Sequence, residues 1–254
     1  MELKTIEKAI SVLKCFTEWD SSLSTTELSK KLGTNKPTMS RILTTLKKHD
    51  FLEQEPSTRR YHLGSGMARI ARAFNRYMNN EVVKIAKPIV DRLRDEIGET
   101  IHIEVLSGAN IYLAYAAITS NRVSLMVDVG DRLKPHVHAG AKAIVAFSEP
   151  LEIERWLALE LPKHKKNTIT DPEKLREIYR KVRQTGIAYD WEENLTGINA
   201  IAAPVFDHKD TPVAAVTIVV PSYRMGKRWD GHSIELLKGA ANKISTGLHS
   251  SRSV

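Results

Sequence analysis

Residues 24–46 constrain this chain more than any other segment, because two short helices and the stop between them can be read from them directly. Ser24 and Glu27 have capping-box spacing, with Leu23 and Leu28 placed as the hydrophobic staple around it. Leu28 and Leu32 give that helix one apolar stripe, and Gly33 is placed to stop it. Pro37 suits the first turn of a second helix, where a missing N–H is tolerated. Met39, Ile42, Leu43 and Leu46 then follow the i, i+3, i+4, i+7 spacing of a buried face. The other face carries Lys36, Ser40, Arg41, Thr44, Lys47 and Lys48, all hydrogen-bond donors with no acid among them. A helix held by its apolar side, with a cationic and hydroxyl-rich side outward, is what major-groove reading requires.

An amphipathic pair in an ordinary helical domain would share that pattern; the next residues weigh against it. Phe51–Leu63 contains two short strand-like runs around Pro56-Ser57-Thr58, a hairpin signal, with Arg59 and Arg60 on the tip and return strand. A hairpin after the second helix is a wing, and adjacent arginines there suit phosphate or narrow minor-groove contact. In front, Ile6, Ala9, Ile10, Leu13 and Phe16 mark a first helix expected to cover the core. Residues 1–64 therefore predict a winged helix-turn-helix. Its candidate DNA contacts are Thr26, Lys36, Pro37, Thr38, Ser40, Arg41, Thr44, Arg59 and Arg60.

Charge supports a division in two. Residues 1–80 hold 14 Lys/Arg against 8 Asp/Glu, whereas residues 81–254 hold 24 against 22, so most of the +8 excess sits in the head. That asymmetry fits a nucleic-acid-binding head on a near-neutral partner domain. The single cysteine, Cys15, excludes an internal disulfide framework and reads as a small core residue of a reducing compartment, ahead of a redox sensor. No apolar run approaches a membrane span, and Met1-Glu-Leu-Lys lacks the apolar segment of a signal peptide, so a cytoplasmic protein with no membrane partner is expected.

Gly64-Ser65-Gly66 closes the head, and a basic amphipathic linker helix is expected within residues 65–80, with Arg69, Arg72 and Arg76 on one side and Met67, Ile70, Ala71, Phe74 and Tyr77 around the other. Residues 81–254 form the second domain. A helix is expected over Glu81–Ile97, with Val82, Ile85, Ile89, Leu93 and Ile97 inward, a kink at Pro88 and a stop at Gly98. Ile101–Leu106, Ile111–Ala117 and Val123–Val127 read as strands, followed by helices at Ala141–Phe147 and Pro150–Leu161. Asp171-Pro172-Glu173 starts a further helix and Gly186 ends it. Strands Ile198–Phe206 and Val213–Pro221 flank the turn Asp207-His208-Lys209-Asp210, and a last helix runs from Asp230 to Leu248. Five strands with helices on their flanks make the chain α+β overall, with an α/β sensor-like sheet in the second domain.

Enzymatic readings are weaker. Asp190, Glu192 and Glu193 resemble an acid/base cluster, but no nucleophile or phosphate cradle accompanies them, and a polar turn before the next strand accounts for them better. His136 and His138 share one face of an extended segment and His102 lies on another strand, without a cysteine or carboxylate to complete a firm ligand pattern. Lys142 at a helix start reads as solvated or structural. No catalytic residue, metal or cofactor is expected.

The order of elements and several motifs resemble the IclR (isocitrate lyase regulator) family of bacterial transcription factors, from about Leu3 to Leu248. In the head the resemblance rests on Thr26-Glu-Leu-Ser and Thr38-Met-Ser-Arg-Ile-Leu-Thr-Thr-Leu46. In the second domain it rests on Val127-Asp-Val-Gly130, His138-Ala-Gly-Ala-Lys-Ala143, Tyr189-Asp-Trp-Glu-Glu193 with Gly197, Ile201-Ala-Ala-Pro204 and Ala214-Ala-Val-Thr-Ile218. The resemblance implies a GAF-like effector-binding domain, a homodimer or dimer of dimers on a pseudo-palindromic double-stranded operator, and a small-molecule effector, an organic acid or related metabolite of a catabolic operon. It puts Gly140 and Ala141 on one wall of the pocket and Asp190, Ala200, Thr217 and Val219 among the ligand-facing positions. A helix start at Ala139–Ala141 would suit a carboxylate, and Asp190 a ligand hydroxyl or amine. Ala200 and Val219 stand where relatives that bind small polar acids place a thiol and a hydroxyl, which predicts a more apolar pocket suited to an aromatic or longer-chain hydroxy acid.

Overall fold

The computed structural model describes residues 3–16, 22–78, 81–119, 128–227 and 231–250. The chain divides into two compact units, Met1–Tyr77 and Met78–Val254.

The first unit contains α1 (Lys4–Lys14), α2 (Thr25–Lys31), α3 (Lys36–Lys48), the hairpin β1 (Leu52–Gln54) and β2 (Tyr61–Leu63), and α4 (Ser65–Met78). The capping box is formed: the Glu27 N–H donates to Ser24 Oγ at 3.3 Å, and the Ser24 N–H donates to the Glu27 carboxylate at 2.7 Å. Asn35 caps α3 by accepting the Thr38 N–H at 2.9 Å, and Pro37 sits in the first turn where no intrahelical bond is lost. Met39, Ile42 and Leu43 of α3 are buried with Leu28, Leu52 and Tyr61. Leu23 exchanges backbone hydrogen bonds with Tyr61 at 2.9 and 2.8 Å, so the wing is stitched to the residues leading into α2.

The inward face of α1 differs from expectation. Ile6 and Ile10 are 54% and 49% exposed, and the core takes Val12, Cys15 and Phe16, with Ala9 and Leu13 at its margin. Two overlapping apolar stripes share this helix, and packing selected the one through residues 9, 12, 13 and 16. In α4, the side chains of Arg72, Phe74, Arg76 and Tyr77 lie outside the described residues.

The second unit begins with α5 (Glu81–Ile97), which runs through Pro88, followed by β3 (Thr100–Ser107), β4 (Asn110–Ala117) and β5 (Arg132–Leu133). Next come α6 (Ala139–Phe147), α7 (Pro150–Leu157) and α8 (Pro172–Thr185). Then follow β6 (Ala188–Trp191), β7 (Ile198–Phe206), β8 (Pro212–Pro221), a 3₁₀ turn at Ser222–Lys227 and α9 (Gly231–Ser250). Asp171 caps α8 by accepting the Glu173 N–H, and Gly186 ends it at φ 72°, where a side chain would be strained. The six strands are antiparallel in the order β5-β4-β3-β8-β7-β6. Helices α5 and α9 pack on one face of this sheet, and α6, backed by α8, on the other.

Two expectations change here, and a third falls where nothing is described. Val123–Val127 lies outside the described residues. The short edge strands β5 and β6 were not anticipated, because runs of two and four residues carry too little periodicity to register. α6 starts two residues earlier than expected and α7 ends at Leu157. Among the described residues no helix is long and apolar enough to cross a membrane.

Candidate functional site

On the first unit, Thr26, Lys36, Pro37, Ser40, Arg41 and Thr44 are exposed and Thr38 is half-buried. The apolar side of α3 is locked into the core, so Ser40, Arg41 and Thr44 face outward on adjacent turns.

The wing separates its two arginines. Arg59 is exposed, at a φ of 57°. Arg60 is half-buried: its Nε donates to Ser22 Oγ at 3.1 Å, its Nη2 donates to the Ser22 carbonyl at 2.9 Å, and it pairs with Glu27 at 3.0 Å. Hydrogen bonds from Ser24, and then Arg60, hold the Glu27 carboxyl below its ordinary range. Arg60 thus ties the wing to the start of α2, a role its pairing with Arg59 in sequence does not reveal.

In the second unit, strand register assembles a pocket under α6. Asp190 pairs with Ala200 and Ala200 with Val219, while His102 pairs with Thr217, so these side chains lie on one sheet face. They line a cavity of about 50 Å³ with Glu104, His138 and Ala139. Asp190, Ala200, Thr217 and Val219 are therefore brought together. Gly140 and Ala141 are not on the cavity wall; Gly140 instead makes a close contact behind it. A Cβ at Gly140 would collide with Glu104 Oε2 and lie 2.6 Å from Thr217 Oγ1. A larger open groove of about 440 Å³, bounded by α7 and α8, shares no residue with this cavity.

Glu104 and His102 are the residues that sequence reasoning missed as ligand-facing. Their alternation with Ile101, Ile103 and Val105 is that of a strand with one polar side, which ordinarily faces water. Here both faces are covered, and both residues are buried. A register shift against β4 falls at Ile103/Glu104. Burial pushes the Glu104 carboxyl up to about 7, with the Thr217 hydroxyl opposing and the Asp190 charge adding to the rise. Burial also holds His102 and His138 down to about 4, so both rings are neutral at pH 7. Asp190 is raised to about 6 by burial, against the Glu193 N–H and Lys142. Glu104 Oε2, His102 Nε2 and Thr217 Oγ1 are buried without a well-formed hydrogen bond, although the Thr217 hydroxyl lies near enough to Glu104 to favour its charged form. Unsatisfied polar atoms gathered around one cavity are uncommon in a folded interior and point to a ligand. The cavity is consequently more polar than Ala200 and Val219 alone predict.

The acids of the β6 segment are distributed among separate tasks. Asp190 lies in strand β6, where a loop was expected, and accepts the Glu193 N–H at 2.8 Å. Glu192 accepts from Ser222 Oγ at 2.6 Å. Glu193 pairs with Lys142 at 2.6 Å, and the Lys142 Nζ also donates to the Tyr189 carbonyl at 2.9 Å. Lys142 is only 1% exposed, so it serves as a buried strut between α6 and the β6 segment. His136 and His138 sit on a turn and a helix start, where an extended segment was expected, and His136 Nε2 lies 3.0 Å from the Pro162 carbonyl. No three metal-binding side chains converge among the described residues.

The two units match known families separately. A family model for the C-terminal domain of the bacterial transcriptional regulator IclR matches residues 75–246, and one for the IclR helix-turn-helix domain matches residues 5–56. The HTH-type transcriptional regulator BhcR of Paracoccus denitrificans is 28% identical over 247 residues, covering 97% of this chain and 88% of that protein. The crystal structure of the Thermotoga maritima IclR aligns with a TM-score of 0.81 at 24% identity, covering 97% of this chain and 99% of that one. An IclR homologue from Microbacterium hydrocarbonoxydans in complex with 4-hydroxybenzoate aligns with a TM-score of 0.75 at 20% identity, covering 96% and 98%. At such identities these two structures speak for the fold alone. With family models covering both the helix-turn-helix and the six-stranded domain, the chain belongs to the IclR family of bacterial transcription regulators.

Proposed function

We propose that the protein is a sequence-specific, ligand-responsive regulator that controls a catabolic operon in response to a small organic metabolite, an organic acid or a close relative of one. The outward donor face of α3 carries this reading. In it, Arg41 and Ser40 meet base edges, and Thr44, Lys36, Thr38 and Thr26 with Arg59 of the wing contact phosphates and sugars. Pro37 fixes the first turn of α3 against the duplex, and Arg60 acts indirectly by orienting the wing. The effector occupies the cavity beside Asp190, Ala200, Thr217 and Val219, with Gly140 allowing the close approach of α6 and Ala141 supplying a backbone N–H behind it. An IclR homologue of the same fold holds 4-hydroxybenzoate, a small organic ligand of the class proposed here.

One winged helix covers too few base pairs for useful specificity, so a homodimer or dimer of dimers on a pseudo-palindromic operator follows. Fluorescence anisotropy with the duplex upstream of its own gene, against shuffled duplex and RNA, tests the reading. A preference of about 10³-fold or more for the operator is expected. Equal affinity for all three would overturn it. Light scattering tests assembly, and a monomer that binds half-sites as tightly as full sites ends the dimer proposal. An effector that favours one DNA-affinity state must shift operator binding reciprocally.

A further inference from the structure

The polarity of the cavity narrows the class of ligand, an inference that rests on the effector-pocket reading above. Two of the lining side chains, Glu104 and Asp190, are carboxyls, and among the described residues lining it none is Lys or Arg. The nearby buried ammonium of Lys142 is committed to Glu193 at 2.6 Å and to the Tyr189 carbonyl. The two lining histidines are neutral at pH 7 and supply no positive charge. The start of α6 would ordinarily attract an anion. Here the chain's own Glu104 faces it: Gly140 has no side chain to hold that carboxyl away, and the Ala141 N–H lies within its reach. Glu104 Oε2 and Thr217 Oγ1, neither of them in a well-formed hydrogen bond, then present acceptors, and a charged carboxylate can only accept.

We propose that, among the organic acids and close relatives admitted above, this pocket selects the neutral or cationic relatives over the free acids: a polyol or hydroxylated amine whose hydroxyl or ammonium donates to Glu104, with a free carboxylate disfavoured at this pole. The cavity of about 50 Å³ fits the terminal group of such a ligand, since one water needs roughly 10–15 Å³ by a comparable measure.

Three probes of similar size separate the chemistries: ethylene glycol, ethanolamine and glycolate, titrated into the full-length protein by ligand-observed NMR. At pH 8, ethanolamine should bind at least about tenfold more tightly than glycolate, as a carboxylate facing a like charge requires. Glu104→Gln keeps the shape and removes the charge, so the preference should shrink to within about threefold. Lowering the pH of the wild type from 8 to 6 should raise glycolate affinity, because Glu104 gains a proton that it can donate. The groups facing Glu104 in that range are Asp190 from β6, His102 from β3, His138 before α6 and the Thr217 hydroxyl from β8. This pH arm needs no variant, so a misfolded Glu104→Gln does not shield the proposal. Tighter binding of glycolate than ethanolamine at pH 8, an unchanged ratio in a folded Glu104→Gln, or no saturable binding of any probe overturns it. Operator anisotropy on the same samples reports the underlying reading separately: lost operator preference with the ligand ratio intact sinks the regulator and spares the pocket chemistry.

Discussion

The outer face of α3 and the cavity beneath α6 both gather polar side chains, but of opposite character and under opposite conditions. On α3, Ser40, Arg41 and Thr44 are neighbours on one short helix and are exposed to water. Around the cavity, His102, Glu104, Asp190 and Thr217 come from three strands and are buried. An exposed cation works through long-range charge that salt weakens; a buried acid works through an unmet hydrogen bond that salt barely touches. Glutamate shows the contrast within one chain. Glu27, at a helix start with Ser24 and Arg60, is held below its ordinary range, whereas burial raises Glu104 to about 7. Environment, more than residue identity, decides whether a polar group is a surface contact, a strut or a binding pole.

The largest effect expected from breaking this comparison is at Lys142. Lys142→Met leaves Glu193 buried without its cation and should cost about 3–5 kcal/mol of stability in the second unit. Urea unfolding measures it, and a loss under about 1 kcal/mol would show that the ion pair is not what holds the β6 segment to α6. Next comes Arg41→Ala, expected to cost about 1–3 kcal/mol on operator and much less on random duplex. An equal loss on both would move Arg41 from base reading to phosphate contact.

Glu104→Gln should be smaller and pH-dependent. The Glu104 pKa rises from 4.5 to about 7 on folding, so its burial costs stability progressively between those values and most above pH 7. The glutamine variant should thus be more stable than wild type at pH 8, by at most about 3 kcal/mol and by less where its amide N–H groups find no acceptor, with the gap closing as pH falls toward 4.5. Denaturation midpoints at pH 8 and pH 5 check this, and a constant difference would mean that Glu104 is not the titrating group. The smallest effect is expected on the wing: Arg59→Ala should weaken all sequences alike and lower the salt slope by about 1. Arg60→Ala should leave that slope nearly unchanged while loosening the wing, seen as faster amide exchange at Tyr61 and Leu63. A salt slope reduced equally by both variants would return Arg60 to the phosphate.

Legibility in the sequence followed the distance over which each feature is decided. The capping box of Ser24 and Glu27, the Pro37 helix start and the Gly186 stop each depend on contacts a few residues apart, and they stand where their spacing puts them. The long strands β7 and β8 were legible for the same reason. The face chosen by α1 was not, because Ile6 and Ile10 fit one stripe as well as Val12 and Phe16 fit another. Asp190, Ala200, Thr217 and Val219 were placed through resemblance, and the register of β6, β7 and β8 does bring them together. Glu104 and His102 stayed hidden since an alternating strand does not say whether water or a helix covers its polar side.

The sequence by itself determined the elements of the head, the donor face of α3 and the division of charge between the two halves of the chain, because helical period, end-capping and net charge are local or additive quantities. Only the tertiary structure decided that Arg60 is a tether, that Lys142 and Glu193 form a buried strut, and that Glu104 fills the start of α6. Each of these depends on groups 33 to 51 residues apart meeting, Arg60 and Glu27 at the surface and Lys142 and Glu193 where water is scarce. Glu104 meets Gly140 and Thr217 in the same way, across β3, α6 and β8. Burial then sets the charge state and the unmet hydrogen bond, and neither is a property of the chain until it folds.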